Sequence, residues 1–108
     1  MRVEAPAKAR FGRVAGRGLG VSLVADEPCT ITLRARARGV ASFRTRSVKV
    51  QGGVRTTVRL SLRSSALRRL RATLRRRTSV LVRVTAAGID GAGNRSAQAK
   101  RIRLRRPR

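Results

Sequence analysis

Residues 54–62 read Val-Arg-Thr-Thr-Val-Arg-Leu-Ser-Leu. Val54, Thr56, Val58, Leu60 and Leu62 fall on one side of a two-residue period, and Arg55, Thr57, Arg59 and Ser61 on the other. Side chains alternate across a pleated strand, so this spacing predicts a strand with an aliphatic inner face and a polar outer face. The pattern recurs. Residues 29–37 read Cys-Thr-Ile-Thr-Leu-Arg-Ala-Arg-Ala, which places Ile31, Leu33 and Ala35 inward and Thr30, Thr32, Arg34 and Arg36 outward. Leu19, Val21, Leu23 and Ala25 share a face, as do Val80, Val82, Val84 and Ala86. In a last strand, over residues 96–105, Ile102 and Leu104 point inward. Weaker strands are expected around 40–43 and 47–50.

The segments between these strands carry breaking chemistry. Asp26-Glu27-Pro28 ends one strand, since proline cannot serve a central ladder. Gln51-Gly52-Gly53 is a turn, and residues 88–94, Gly-Ile-Asp-Gly-Ala-Gly-Asn, form a hairpin loop. The period changes at Ser64. Leu67, Leu70 and Leu74 fall at helical spacing, which predicts a helix over residues 64–77. Ser64 or Ser65 is its expected N-cap. Arg75, Arg76 and Arg77 suit the negative end of its dipole. Residues 1–12 show little periodicity and read as a linker or a loose first strand, leaving residues 13–106 as the domain. The expected fold is an all-β sandwich of about seven strands, of the immunoglobulin or fibronectin type III kind, with one short helix before the penultimate strand.

Composition narrows the chemistry. The 108 residues suffice for one domain with a modest core. Aromatic residues are 2% of the chain, only Phe11 and Phe43, so the core must be built from short aliphatics. There is no histidine, which removes Ser-His-Asp and Cys-His nucleophiles and the usual zinc sites. The acids are Glu4, Asp26, Glu27 and Asp90, too few and too scattered for an acid–base pair. No phosphate-cradling glycine motif joins a strand to a helix. A non-enzymatic protein is expected, with no cofactor. No stretch reaches transmembrane length, and residues 1–12 contain no apolar run of signal-peptide type.

Twenty-eight residues are basic, only Lys8, Lys49 and Lys100 being lysine, and the formal net charge is +24. A polyanionic partner is one reading of that excess. GC-rich coding, which favours arginine over lysine, is the other, although it leaves the scarcity of acids unexplained. The arginines fall into stripes: Arg34, Arg36 and Arg38; Arg55 and Arg59; Arg101, Arg103 and Arg105; and, on the helix, Arg68, Arg69, Arg71 and Arg75. Those of the helix and the last strand are the expected polyanion-binding residues. Guanidinium groups bind phosphate and carboxylate in bidentate fashion. Base-stacking aromatics are missing, so nucleic-acid binding should be non-specific and salt-dependent.

Two further features have competing readings. Asp26 and Glu27 lie in one predicted loop, Asp90 and Asn94 in another, and a sandwich gathers those loops at one end. Together they are either a calcium candidate or ordinary turn chemistry. Cys29 is either a thiol activated by nearby cations or a small packed residue.

The order V-S-L-V-A-D-E-P-C-T-I-T-L, S-S-A-L-R-R-L and V-R-V-T-A-A-G-I-D-G-A-G-N-R-S, over Leu19 to Leu104, resembles the bacterial Ig-like or fibronectin-like domains of actinobacterial-type secreted and surface proteins. The last segment is similar to their recurrent strand and "DaaGN" hairpin. The resemblance implies a structural or adhesion module of a larger extracellular or cell-surface protein, whose partners are anionic surface polymers or neighbouring domains. Such domains often carry a C-x-x-x-C pair. Here it would fall on Ala25 and Cys29, so the disulfide is absent. The alternative is an intracellular, non-specific nucleic-acid-binding protein.

Overall fold

The computed structural model describes residues 1–106. Its elements in chain order are β1 (Arg2–Glu4), β2 (Lys8–Arg10), α1 (Phe11–Arg17), β3 (Leu19–Val24), β4 (Cys29–Ala37), β5 (Ala41–Ser42), β6 (Arg46–Val50), β7 (Thr56–Leu60), α2 (Ser64–Arg76), β8 (Ser79–Asp90) and β9 (Arg95–Arg105). The protein is mostly β, in two sheets. One sheet has the order β1-β3-β7; the other runs β2-β9-β8-β4-β5, with β6 also paired to β4. Two helices rather than one, and nine strands rather than about seven, occur among the described residues.

The alternating strands form where their period places them. Leu19, Val21 and Leu23 of β3, Ile31, Leu33 and Ala35 of β4, Val80, Val82, Val84 and Ala86 of β8, and Ile102 and Leu104 of β9 are all buried. They meet Val58 and Leu60 of β7 in one aliphatic core. No polar or charged side chain is buried among the described residues, so the core carries no desolvation cost from charge. Val54 departs from its expected inward place. It precedes β7, where the chain is still turning, and is 49% exposed.

Residues 1–12 contribute two short strands. β1 pairs antiparallel with β3, and β2 pairs parallel with β9, so this segment joins both sheets. Helix α1 follows directly and buries Phe11 and Val14, one turn apart. It stops at Gly18, whose N–H donates to Val14 O (2.8 Å). Gly18 has φ +81°, and a Cβ there would lie 2.9 Å from Leu60 O, so glycine is required on both counts.

Helix α2 carries the chain from β7 in the first sheet to β8 in the second, burying Ala66, Leu70 and Leu74. Its expected serine cap is not formed. Arg63 occupies the N-cap position with no side-chain hydrogen bond, and Ser64 is the first helical residue. The C-terminal end is better served: Arg106 Nε donates to Leu74 O (2.8 Å). No helix among the described residues is long and apolar enough to cross a membrane.

The hairpin of β8 and β9 runs the length of an elongated molecule, 47 × 20 × 19 Å in Cα extent. Because β2 pairs only with Arg103–Arg105, the first part of β9 has β8 on one side and no described strand on the other. Lys100 sits there on the same face as Ile102 and Leu104 yet is exposed. An inward-pointing charge of this kind discourages edge-to-edge pairing.

Candidate functional site

The outer face of the larger sheet is set by strand register. Arg36 of β4 lies opposite Arg83 of β8, and Arg83 lies opposite Arg101 of β9. Adjacent strands are about 4.8 Å apart, so three guanidinium-bearing side chains stand in one row across three strands. Arg103, opposite both Leu81 and Lys8, extends the charge toward β2. Like charges directly opposite one another weaken a sheet. Both ion pairs among the described residues instead use Glu4, with Arg55 at 3.0 Å and Arg2 at 3.7 Å.

At the β4 side of this row the surface becomes concave. Strand β6 pairs with β4 only from Cys29 to Leu33, and β5 only at Arg36 and Ala37. Between them the chain leaves the sheet edge. Phe43 N–H donates to Ala35 O (2.9 Å), then Arg44 N–H donates to Ser61 O (2.8 Å) beyond the end of β7. The Phe43 ring sinks into the core, 5% exposed. A groove of about 590 Å³ remains, lined by Arg34, Arg36, Arg38 and Arg83 with the hydroxyl-bearing Ser42, Thr45 and Thr85.

The expected polyanion-binding arginines are thus divided. Arg101 ends the row on β9, outside the lining of the groove, and Arg103 donates from Nη1 to Ser79 Oγ (3.3 Å). Arg105 lies opposite Ser79, at the far end of β9. On α2, Arg71 stands over the Phe11 ring at 5.7 Å and joins Arg75 and Arg106 around a second cavity of about 380 Å³. Arg68 and Arg69 are exposed on the helix and line neither cavity. The larger concavity lies elsewhere than the two expected elements. Arg34, Arg36 and Arg38 are legible as a stripe, but their junction with Arg83 depends on β4–β8 register. The only local signal for Arg83 is its outward phase in Val-Leu-Val-Arg-Val-Thr.

The loops after β3 and β8 do meet at one end. Asp26, Glu27, Cys29, Asp90, Asn94 and Arg95 line a common cleft of about 250 Å³. Gly52 helps to place it, since a Cβ there would lie 2.7 Å from Asp26 O. Asp90 is taken up by its own turn. Its Oδ1 accepts from the N–H groups of Ala92 (2.9 Å) and Asn94 (2.8 Å), and its Oδ2 from Asn94 Nδ2 (3.1 Å). The hydrogen bond from the Asn94 backbone holds the carboxyl below its ordinary range; desolvation opposes it, and further hydrogen bonds from the Asn94 side chain, Ala92 and Gly93 add to the lowering. No group of three His, Cys, Asp or Glu side chains placed to hold a metal ion occurs among the described residues. Cys29 is a half-buried free thiol at the start of β4, with carboxylates among its neighbours in the cleft.

No protein-family model matches this sequence, and no curated protein matches it.

Proposed function

We propose that the protein is a non-enzymatic structural or adhesion module of the Ig-like, fibronectin type III-like kind, which contacts anionic polymers through its basic sheet face. Strand order supports the fold-family part of this reading. A three-stranded β1-β3-β7 sheet facing a β9-β8-β4-β5 sheet follows the A-B-E and G-F-C-C′ arrangement of such sandwiches, with β2 as an A′ strand beside G. A place in a secreted or surface protein belongs to the same proposal and rests on the sequence resemblance.

The row Arg36–Arg83–Arg101 carries the functional part. Three like charges in register, with no carboxylate set against them, weaken the sheet by themselves and are neutralised by an external polyanion. The absence of histidine and the engagement of Asp90 in its turn and Glu4 in ion pairs support a binding role rather than catalysis.

Binding to duplex DNA and to an anionic cell-wall polymer over a salt series tests this. Binding is expected at low salt, with the logarithm of the DNA association constant falling by about 0.9 per phosphate neutralised for each unit of log salt. No binding to either polymer at low salt would leave a plain spacer.

A further inference from the structure

The groove beside the arginine row has a composition that discriminates among polyanions. Four arginines from two strands and the loop beyond β4 line it, together with the hydroxyl-bearing Ser42, Thr45 and Thr85. Arg36 and Arg83 are cross-strand partners, so their side chains leave the sheet about 5 Å apart. Arg34, Arg36 and Arg38 follow one another along the chain at roughly 6.6 Å.

A carboxylate holds its two oxygens in one plane with its carbon, so both can pair with a single guanidinium approaching in that plane. A phosphodiester presents its two non-bridging oxygens on a tetrahedral centre. One oxygen can take a guanidinium from β4, the other a guanidinium from β8, and a hydroxyl can donate to either. The close pair Arg36 and Arg83 fits such a bridged anion. The groove also lacks any means of reading what the backbone carries. Its single aromatic residue, Phe43, has its ring in the core and offers no stacking face.

We propose that this groove is a site for the phosphodiester backbone of a linear polymer, held by Arg34, Arg36, Arg38 and Arg83 with Ser42, Thr45 and Thr85, and indifferent to the groups attached to that backbone. The inference rests on the polyanion-binding reading above and goes further by naming the anion.

Single-stranded oligo-dT, poly(glycerol phosphate) and poly-glutamate of equal charge serve as probes, titrated at several salt concentrations. Wild type is expected to bind both phosphodiesters within about threefold of each other, and poly-glutamate at least tenfold more weakly at the same salt. The Arg36→Gln/Arg83→Gln protein should lose about tenfold on both phosphodiesters and less than about threefold on poly-glutamate. Arg68→Gln/Arg69→Gln, with the same net charge, should change all three by less than about threefold. Thermal melting of each variant confirms folding, and Arg36→Gln/Arg83→Gln should melt no lower than wild type because it relieves repulsion.

Equal binding of poly-glutamate, or an equal loss in the helix variant, would overturn the groove while leaving a general polyanion-binding surface. Binding to only one of the two phosphodiesters would overturn its indifference to substituents. Failure of all three polymers to bind would remove the broader reading as well.

Discussion

Asp90 ties the turn between β8 and β9 by accepting three hydrogen bonds through its two oxygens. Its carboxyl is held below its ordinary range, so the folded state favours the ionised form. Stability from this source is therefore present above the unfolded value, about pH 3.9, and lost as pH falls through the lower folded value. Asp90→Asn should melt below wild type at neutral pH, and the gap should narrow below about pH 4. A gap that stays constant to pH 2.5 would refute the ionised form as the cause. Phe11 is a second residue with a marked expected effect. It is 2% exposed and its ring also carries Arg71, so Phe11→Ala should cost about 3–5 kcal/mol in denaturant unfolding. Domains of this size typically have roughly 5–15 kcal/mol in total, so the variant should be near the limit of folding.

At the scale of elements, α2 begins without a cap and with a cation where the dipole favours an anion. Arg63→Asp should raise stability by about 1 kcal/mol, measured by chemical denaturation. Strand β9 gives the opposite case. Removing its edge charge with Lys100→Val should promote self-association at high salt, seen as dimer by sedimentation, whereas wild type stays monomeric. These elements also show what a sequence can and cannot reveal. β3, β4, β7, β8 and β9 were legible because five or more residues keep a strict two-residue period. α2 was legible from Leu67, Leu70 and Leu74. β1 and β2, three residues each, are too short to display any period, and their pairing partners lie far along the chain. α1 contains Gly12 and Gly16, both poor helix formers, and exists because Phe11 and Val14 have a core to enter. The groove was hidden for a related reason. Its composition depends on the register of β4 against β8 and on the departure of residues 43–45 from the sheet edge, neither of which is a local property.

For the whole molecule, the dominant fact is a net charge of +24 on a 108-residue chain. Self-repulsion opposes compactness, and exposed charges more than about 8–10 Å apart are screened at 0.1–0.15 M salt. The melting temperature should rise with sodium chloride and rise further with sulfate or phosphate at equal ionic strength. A flat response to all three salts would mean that the arginines are too well solvated to affect folding. The aliphatic core explains how such a chain folds at all: among the described residues no charged side chain is buried, so water and counterions can reach each of them.

The meeting of Asp26, Glu27 and Asp90 at one end has a directional effect. From Asp90 to Arg83 strand β8 runs about 23 Å at roughly 3.3 Å per residue. A body with acids gathered at one tip and arginines massed behind it experiences a torque near a negative wall. It turns its tip outward before it touches. Cys29, in the cleft at that tip, is a built-in reporter of the landing pose. A thiol reagent should modify it as fast on protein held at an anionic surface as on protein free in solution, and strong protection on adsorption would reveal the reverse orientation.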